Sequence, residues 1–73
     1  MTKDEAIKRI TANLTRLMDE QDVGVRELAR RVDTSHTTVS RVVAGHVLPS
    51  PEVLYRMAEC LGTEIGDLFR KKS

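Results

Sequence analysis

Two apolar sets with helical spacing, Leu28-Ala29-Val32 and Val39-Val42-Val43, are separated by one short interval, Asp33 to Thr38, in which Ser35 follows Asp33-Thr34. Apolar residues recurring at three and four mark amphipathic helices rather than strands. Ser35 carries a hydroxyl that can accept the amide of Thr37 or Thr38, so it marks a helix start. Asp33 is among the few non-glycine residues that tolerate a left-handed backbone. The first of the two helices is expected to begin after Gly24. The second runs from His36 to about Ala44 and stops at Gly45, a typical C-terminal glycine. With only Asp33-Thr34 between them, the two helices cannot lie antiparallel and must cross steeply. That crossing constrains the fold more than any other feature of the chain.

The remaining segments are also helical, and nothing reads as strand. Thr2-Lys3-Asp4-Glu5 matches the capping-box pattern, and Ile7, Ile10, Leu14 and Leu17 then share one helix face. This first helix is expected to end near Glu20. After the loop His46-Val47-Leu48-Pro49, Ser50-Pro51-Glu52 supplies a cap, a proline at the first helical position and an acid against the dipole. Leu54, Met57, Ala58 and Leu61 form the inner face of that helix, and Gly62 ends it. Thr63 is expected to cap a last short helix carrying Ile65, Leu68 and Phe69. The fold class is all-α: a compact five-helix domain spanning residues 1–73, with residues 70–73 as a flexible tail.

At 73 residues the chain makes one small domain, which buries only roughly 60% of its unfolded surface. The single cysteine, Cys60, excludes an internal disulfide and suits a reducing compartment. Cys60 is read as a small core or boundary residue. No apolar run is long enough for a membrane span, and the charged start "MTKDEAIKRI" lacks a signal-peptide core, so a cytoplasmic protein is expected. The net charge is only +1, but it is unevenly placed. Residues 1–22 and 49–69 are net acidic. Residues 23–48 carry Arg26, Arg30, Arg31 and Arg41 against Glu27 and Asp33, with His36 and His46 in addition, and Arg70-Lys71-Lys72 closes the chain. A mild basic island of this kind suits a polyanionic partner.

The island coincides with an unusual helix start. Ser35, His36, Thr37 and Thr38 load the first turn with small polar groups, although threonine and valine are mediocre helix formers. Two short helices crossing at a tight turn make a helix-turn-helix, whose second helix offers its N-terminal end to the DNA major groove. Small side chains there allow close approach to base edges. The positive end of the dipole favours phosphate, and a threonine methyl can meet thymine.

With these residues in place, the chain resembles the lambda-repressor-like helix-turn-helix family, of Cro/C1 or Xre type. The resemblance rests on Val23, Leu28-Ala29, Ser35, Val39, Val42, Gly45, Pro49-Ser50, Leu54, Ala58, Leu61-Gly62 and Asp67-Leu68, and it covers about Ile10 to Phe69, with the motif at about 24–44. The chain departs from the family pattern at several points. Val25 stands where relatives carry glutamine, which leaves phosphate contact there to backbone amides and Arg26. Gly24 replaces a Ser or Thr cap, and Asp33 replaces the turn glycine. Met18 and Val43 replace a buried arginine–glutamate pair. Losing both charges together is often neutral or stabilising, so Met18 and Val43 are expected to touch in the core.

The resemblance implies a DNA-binding transcriptional regulator, a repressor or self-regulating controller, of bacterial or phage type and nucleoid-associated. It places the base-edge contacts on His36, Thr37 and Arg41. The phosphate and positioning contacts fall on Val25, Arg26, Ser35, Thr38, Gly45, His46 and Val47. Arg41 suits bidentate donation to guanine. The implied partner is double-stranded DNA, a near-palindromic operator bound by a homodimer at least on DNA, with no membrane and no cofactor. Val47, Leu48, Tyr55 and Phe69 are the candidates for a dimer patch.

Two other readings compete. One is a protein-interaction module of antitoxin or adaptor type, suited to the low net charge and to valine at the glutamine position. The other is an enzyme, for which no nucleophile with an orienting acid is evident around Ser35, Ser40 and His36. His36 and His46 lack the further ligands a structural zinc needs, so no metal site is expected.

Overall fold

A computed structural model describes residues 1–71. Lys72 and Ser73, the end of the tail expected over residues 70–73, lie outside the described residues. Five helices follow in order: α1 (Lys3–Gln21), α2 (Val25–Arg31), α3 (His36–Val43), α4 (Pro51–Cys60) and α5 (Ile65–Leu68). Among the described residues there is no strand. α2 packs on α3, α1 lies against both α3 and α5, and α4 closes the bundle against α2 and α5. All five elements expected from the apolar spacing are present. α3 stops one residue short of the expected Ala44, which serves as its C-cap.

The connections are short because four helices end in the same way. In each, the chain turns back with one residue at positive φ, and the amides of that residue and the next close onto carbonyls of the last turn. At the end of α3 the His46 amide reaches the Arg41 carbonyl at 2.9 Å and the Gly45 amide reaches Val42 at 3.1 Å, the Schellman arrangement. Gly45 and Gly62 take positive φ without strain, whereas Asp22 and Asp33 are both at φ 56°. The left-handed Asp33 was expected. Asp22 performs the same task at the end of α1, and nothing in its neighbourhood singles it out beforehand.

The core is built from Ile10, Leu14 and Met18 of α1, Leu28 and Ala29 of α2, Val39 and Val42 of α3, Leu54, Met57 and Ala58 of α4, and Leu68 of α5. The inter-helix residues Val23, Val32 and Leu61 complete it. The buried face of α1 is rotated from the expected one. Ile7 and Leu17 are half-buried, and Ala6, Asn13 and Met18 are buried instead, because α1 must cover both α3 and α5. Met18 and Val43 line one recess with Val23 and Thr15. Val43 is only half-buried there, so this replacement of the family's ion pair sits at the edge of the core, not in its centre.

Side chains from other helices satisfy the carbonyls at the C-terminal ends of α2 to α5. Thr11 donates to Val42 at the end of α3 (3.2 Å), and Gln21 donates to Leu61 at the end of α4 (2.7 Å). Arg56 reaches Val32 at the end of α2 (3.3 Å). Asn13 donates to Leu68 (2.8 Å) and to Arg70 (3.0 Å) at the end of α5, where Arg9 also reaches Phe69 (3.4 Å). Terminal carbonyls have no partner within their own helix, and here three of the four ends are served from α1.

The N-terminal caps follow the sequence with two corrections. Thr2, Ser35 and Ser50 accept the amides of Glu5, Thr38 and Val53. Only half of the expected capping box at α1 forms, because Glu5 turns to Arg9 instead of to the Thr2 amide. At α5 the N-cap is Glu64, not Thr63. The Thr63 amide is taken by Ala58 in the ending of α4, and its hydroxyl donates to Asp67 at 2.9 Å.

Candidate nucleic-acid interface

The expected contact residues between Gly24 and Val47 lie on α2, α3 and the loop behind α3. The first turn of α3 projects into solvent. Ser35, His36 and Thr37 are exposed, as are Ser40 and Arg41 one turn on. Val39 and Val42, fully buried, hold the opposite face of α3 in the core. A threonine- and valine-rich helix therefore forms because its valines are buried, while its polar first turn is left free.

Ser35 and Thr38 brace each other. The Thr38 amide donates to Ser35 Oγ at 3.1 Å, and the two hydroxyl oxygens lie 2.7 Å apart. One hydroxyl hydrogen is used in that contact, which leaves the other hydroxyl as a spare donor at the positive end of the helix. Behind α3, Gly45 is at φ +79°, and a Cβ there would meet Thr11 Oγ1 at 3.5 Å. The loop is thereby held close to α1, with His46 and Val47 facing outward. Val25 is half-buried against the core, and its aliphatic side chain has no hydrogen-bonding group, which leaves its backbone amide as the group that can meet a phosphate. Arg26 is exposed.

The distribution of arginine ion pairs distinguishes this surface from the rest of the molecule. Arg9, Arg16, Arg56 and Arg70 pair with Glu5, Glu20, Glu52 and Asp67, and Arg31 pairs with Glu27. Contact with Cys60, and then the Glu27 carboxylate, raises the Arg31 pKa above its ordinary value. Arg26, Arg30 and Arg41 have no carboxylate partner among the described residues. All three lie on α2 and α3. Arg30 was not among the site residues expected from the sequence, although it carries the same local signal as Arg26, a free arginine on the outer face of α2.

The other expectations fall elsewhere. Arg70, in the basic end of the chain, is engaged with Asp67. Val47, Leu48 and Tyr55 are exposed by 38, 41 and 57%, as a patch open to a partner requires. Phe69 is half-buried against the core cluster and leaves that patch, because α5 lays it back on the bundle. Among the described residues no group of three His, Cys, Asp or Glu could hold a metal ion, and no helix is long and apolar enough to cross a membrane.

Two short helices packed on each other across a tight turn at Asp33, the second with an exposed polar start and Arg41, make a helix-turn-helix domain of the kind that meets DNA. A family model described as helix-turn-helix matches residues 8–68, and the chain belongs to that family, of Cro/C1 or Xre-like type. The family is one of DNA-binding regulators. No match was found among curated proteins or among solved structures.

Proposed function

We propose that this chain, acting as a single domain, is a sequence-specific DNA-binding transcriptional regulator, a repressor or self-regulating controller, that inserts the N-terminal end of α3 into the major groove. The observation that carries this reading is the coincidence of an unobstructed first turn of α3 with the arginines that have no partner of their own. His36, Thr37 and Arg41 read base edges, with Arg41 placed to donate to guanine O6 and N7. Arg26, Ser35 and Thr38 meet phosphates, helped by the backbone of Val25, Gly45, His46 and Val47. The protein needs no metal or cofactor for this and works in the cytoplasm of a bacterium, on chromosomal or phage DNA.

It binds as a homodimer, at least on DNA, to a near-palindromic operator with half-sites about one helical turn apart. The exposed Val47, Leu48 and Tyr55 support self-association through an isologous patch. Selection from a random-sequence duplex pool tests the whole reading, and enrichment of an inverted repeat is the expected result. Arg41→Ala should then cost roughly 1–3 kcal/mol and relax selectivity at one base pair. A chain serving only as a protein-interaction module would enrich no sequence.

A further inference from the structure

We infer that Arg26 and Arg30 act together as a two-pronged clamp on successive phosphates of one DNA strand, beside the groove that receives α3. The inference rests on the DNA-binding reading above and adds Arg30 to its contacts. Three observations lead to it. Both side chains are exposed on α2 and lack a carboxylate partner among the described residues, while the adjoining Arg31 has taken Glu27, the acid within reach of both Arg30 and Arg31. They are four residues apart, so they project from the same helix face, and four residues advance a helix by about 6 Å. That is close to the separation of neighbouring phosphates along a strand. Finally, two like charges at this spacing repel and weaken the helix that carries them. Elsewhere the chain uses the same spacing for opposite charges, as in Arg9–Glu5, Arg16–Glu20 and Arg56–Glu52. On α2 the Arg26/Arg30 pair sets like charges at that spacing, beside the Glu27–Arg31 pair of the same helix, and a polyanion laid along the helix turns the repulsion into attraction.

The clamp also supplies what Val25 withholds. With an aliphatic Val25 half-buried against the core, α2 has no side-chain amide near its start, and the guanidiniums of Arg26 and Arg30 are its long donors without a carboxylate partner among the described residues. Each offers a planar fork suited to phosphate oxygens. Phosphate contacts carry no sequence information of their own, so the clamp fixes how the domain sits on DNA, and α3 reads the bases.

The test is the salt dependence of binding to a random-sequence duplex pool, which needs no knowledge of the operator. Each phosphate neutralised contributes about −0.9 to the slope of log K against log salt. Arg30→Gln is expected to make that slope shallower by about 0.9, and thus to remove roughly a 3.5-fold share of the affinity lost between 50 and 200 mM salt. Arg30→Lys should retain the slope. Thermal melting of the free Arg30→Gln protein should be unchanged or slightly higher, because a repulsion has been relieved, which separates loss of a contact from loss of fold. An unchanged slope for Arg30→Gln overturns the clamp. If an operator is still selected and Arg41→Ala still relaxes selectivity, the DNA-binding reading survives that result. If the parent protein shows no salt-dependent duplex binding at all, the DNA-binding reading falls and takes the clamp with it.

Discussion

Among the described residues Asn13 is the one buried polar residue in the core, 3% exposed, and its replacement offers a sharp test of how the fold is held. Its side-chain amide donates to the Leu68 carbonyl at 2.8 Å and to the Arg70 carbonyl at 3.0 Å, and its oxygen accepts from Arg16 at 3.3 Å. In Asn13→Ala the Leu68 carbonyl is left buried without a partner, at a cost of about 1–3 kcal/mol, and the part-buried Arg70 bond adds about 0.5–1.5 kcal/mol. Alanine returns about 0.6 kcal/mol through its better helix propensity. The net loss is about 2.5 kcal/mol, a large part of the roughly 4–11 kcal/mol expected for a domain of this size.

Urea denaturation followed by circular dichroism should show that loss, with a fall in melting temperature of roughly 10–20 °C. Amide exchange should accelerate first at the end of α5, at Phe69 and Arg70. Asn13→Leu is the decisive control. It fills the same space with apolar atoms but still leaves the Leu68 carbonyl unpaired, so it should be nearly as damaging as Asn13→Ala. If Asn13→Leu restores stability to within about 0.5 kcal/mol of the parent, an unpaired carbonyl cannot carry the penalty assigned to it. The bond would then be incidental to packing, and the reasoning would be refuted.

Three further outcomes follow from the same structure. Asp33→Gly relieves a left-handed aspartate and should stabilise the domain by about 0.5–1 kcal/mol, seen as a higher urea midpoint at unchanged m-value. The Asp67 carboxyl is held below its ordinary pKa by the Thr63 hydroxyl, then by the Glu64 amide, with a smaller contribution from Arg70. A depressed folded-state pKa means stability that is present above the ordinary aspartate range and lost as pH falls through the folded value. Acid titration of the parent should therefore loosen α5, and Asp67→Asn should flatten that part of the profile. Val43→Glu would put an unpaired carboxylate into the half-buried recess beside Met18, where no arginine stands to meet it, and should cost about 2–4 kcal/mol. A melting temperature unmoved by Val43→Glu would show that this recess is open to water.

Much of the architecture is legible from neighbouring residues alone. Ser35, Ser50 and Thr2 announce helix starts, Gly45 and Gly62 announce ends, and Val39 with Val42 fixes which side of α3 turns inward. These signals work over one helical turn, so reading them requires no knowledge of what packs where. The same locality explains the errors. Thr63 has the right chemistry for a cap, but its amide is already committed to the end of α4. Phe69 has the composition of an interface residue, but α5 folds it onto the core.

The sequence by itself determined the number of helices, their order, the tight turn at Asp33 and hence the exposed polar start of α3. Each of these depends on backbone geometry and capping within a few residues. Only the tertiary structure decided that Thr11, Asn13 and Gln21, polar residues along α1 with no visible task, serve the carbonyls ending α3, α5 and α4. It also decided which arginines keep a free guanidinium. Both outcomes depend on which carbonyls and carboxylates come within hydrogen-bond reach, and for Asn13 and Leu68 those groups are 55 residues apart along the chain. A distance of that kind is set by how whole helices pack and is written in no local stretch of residues.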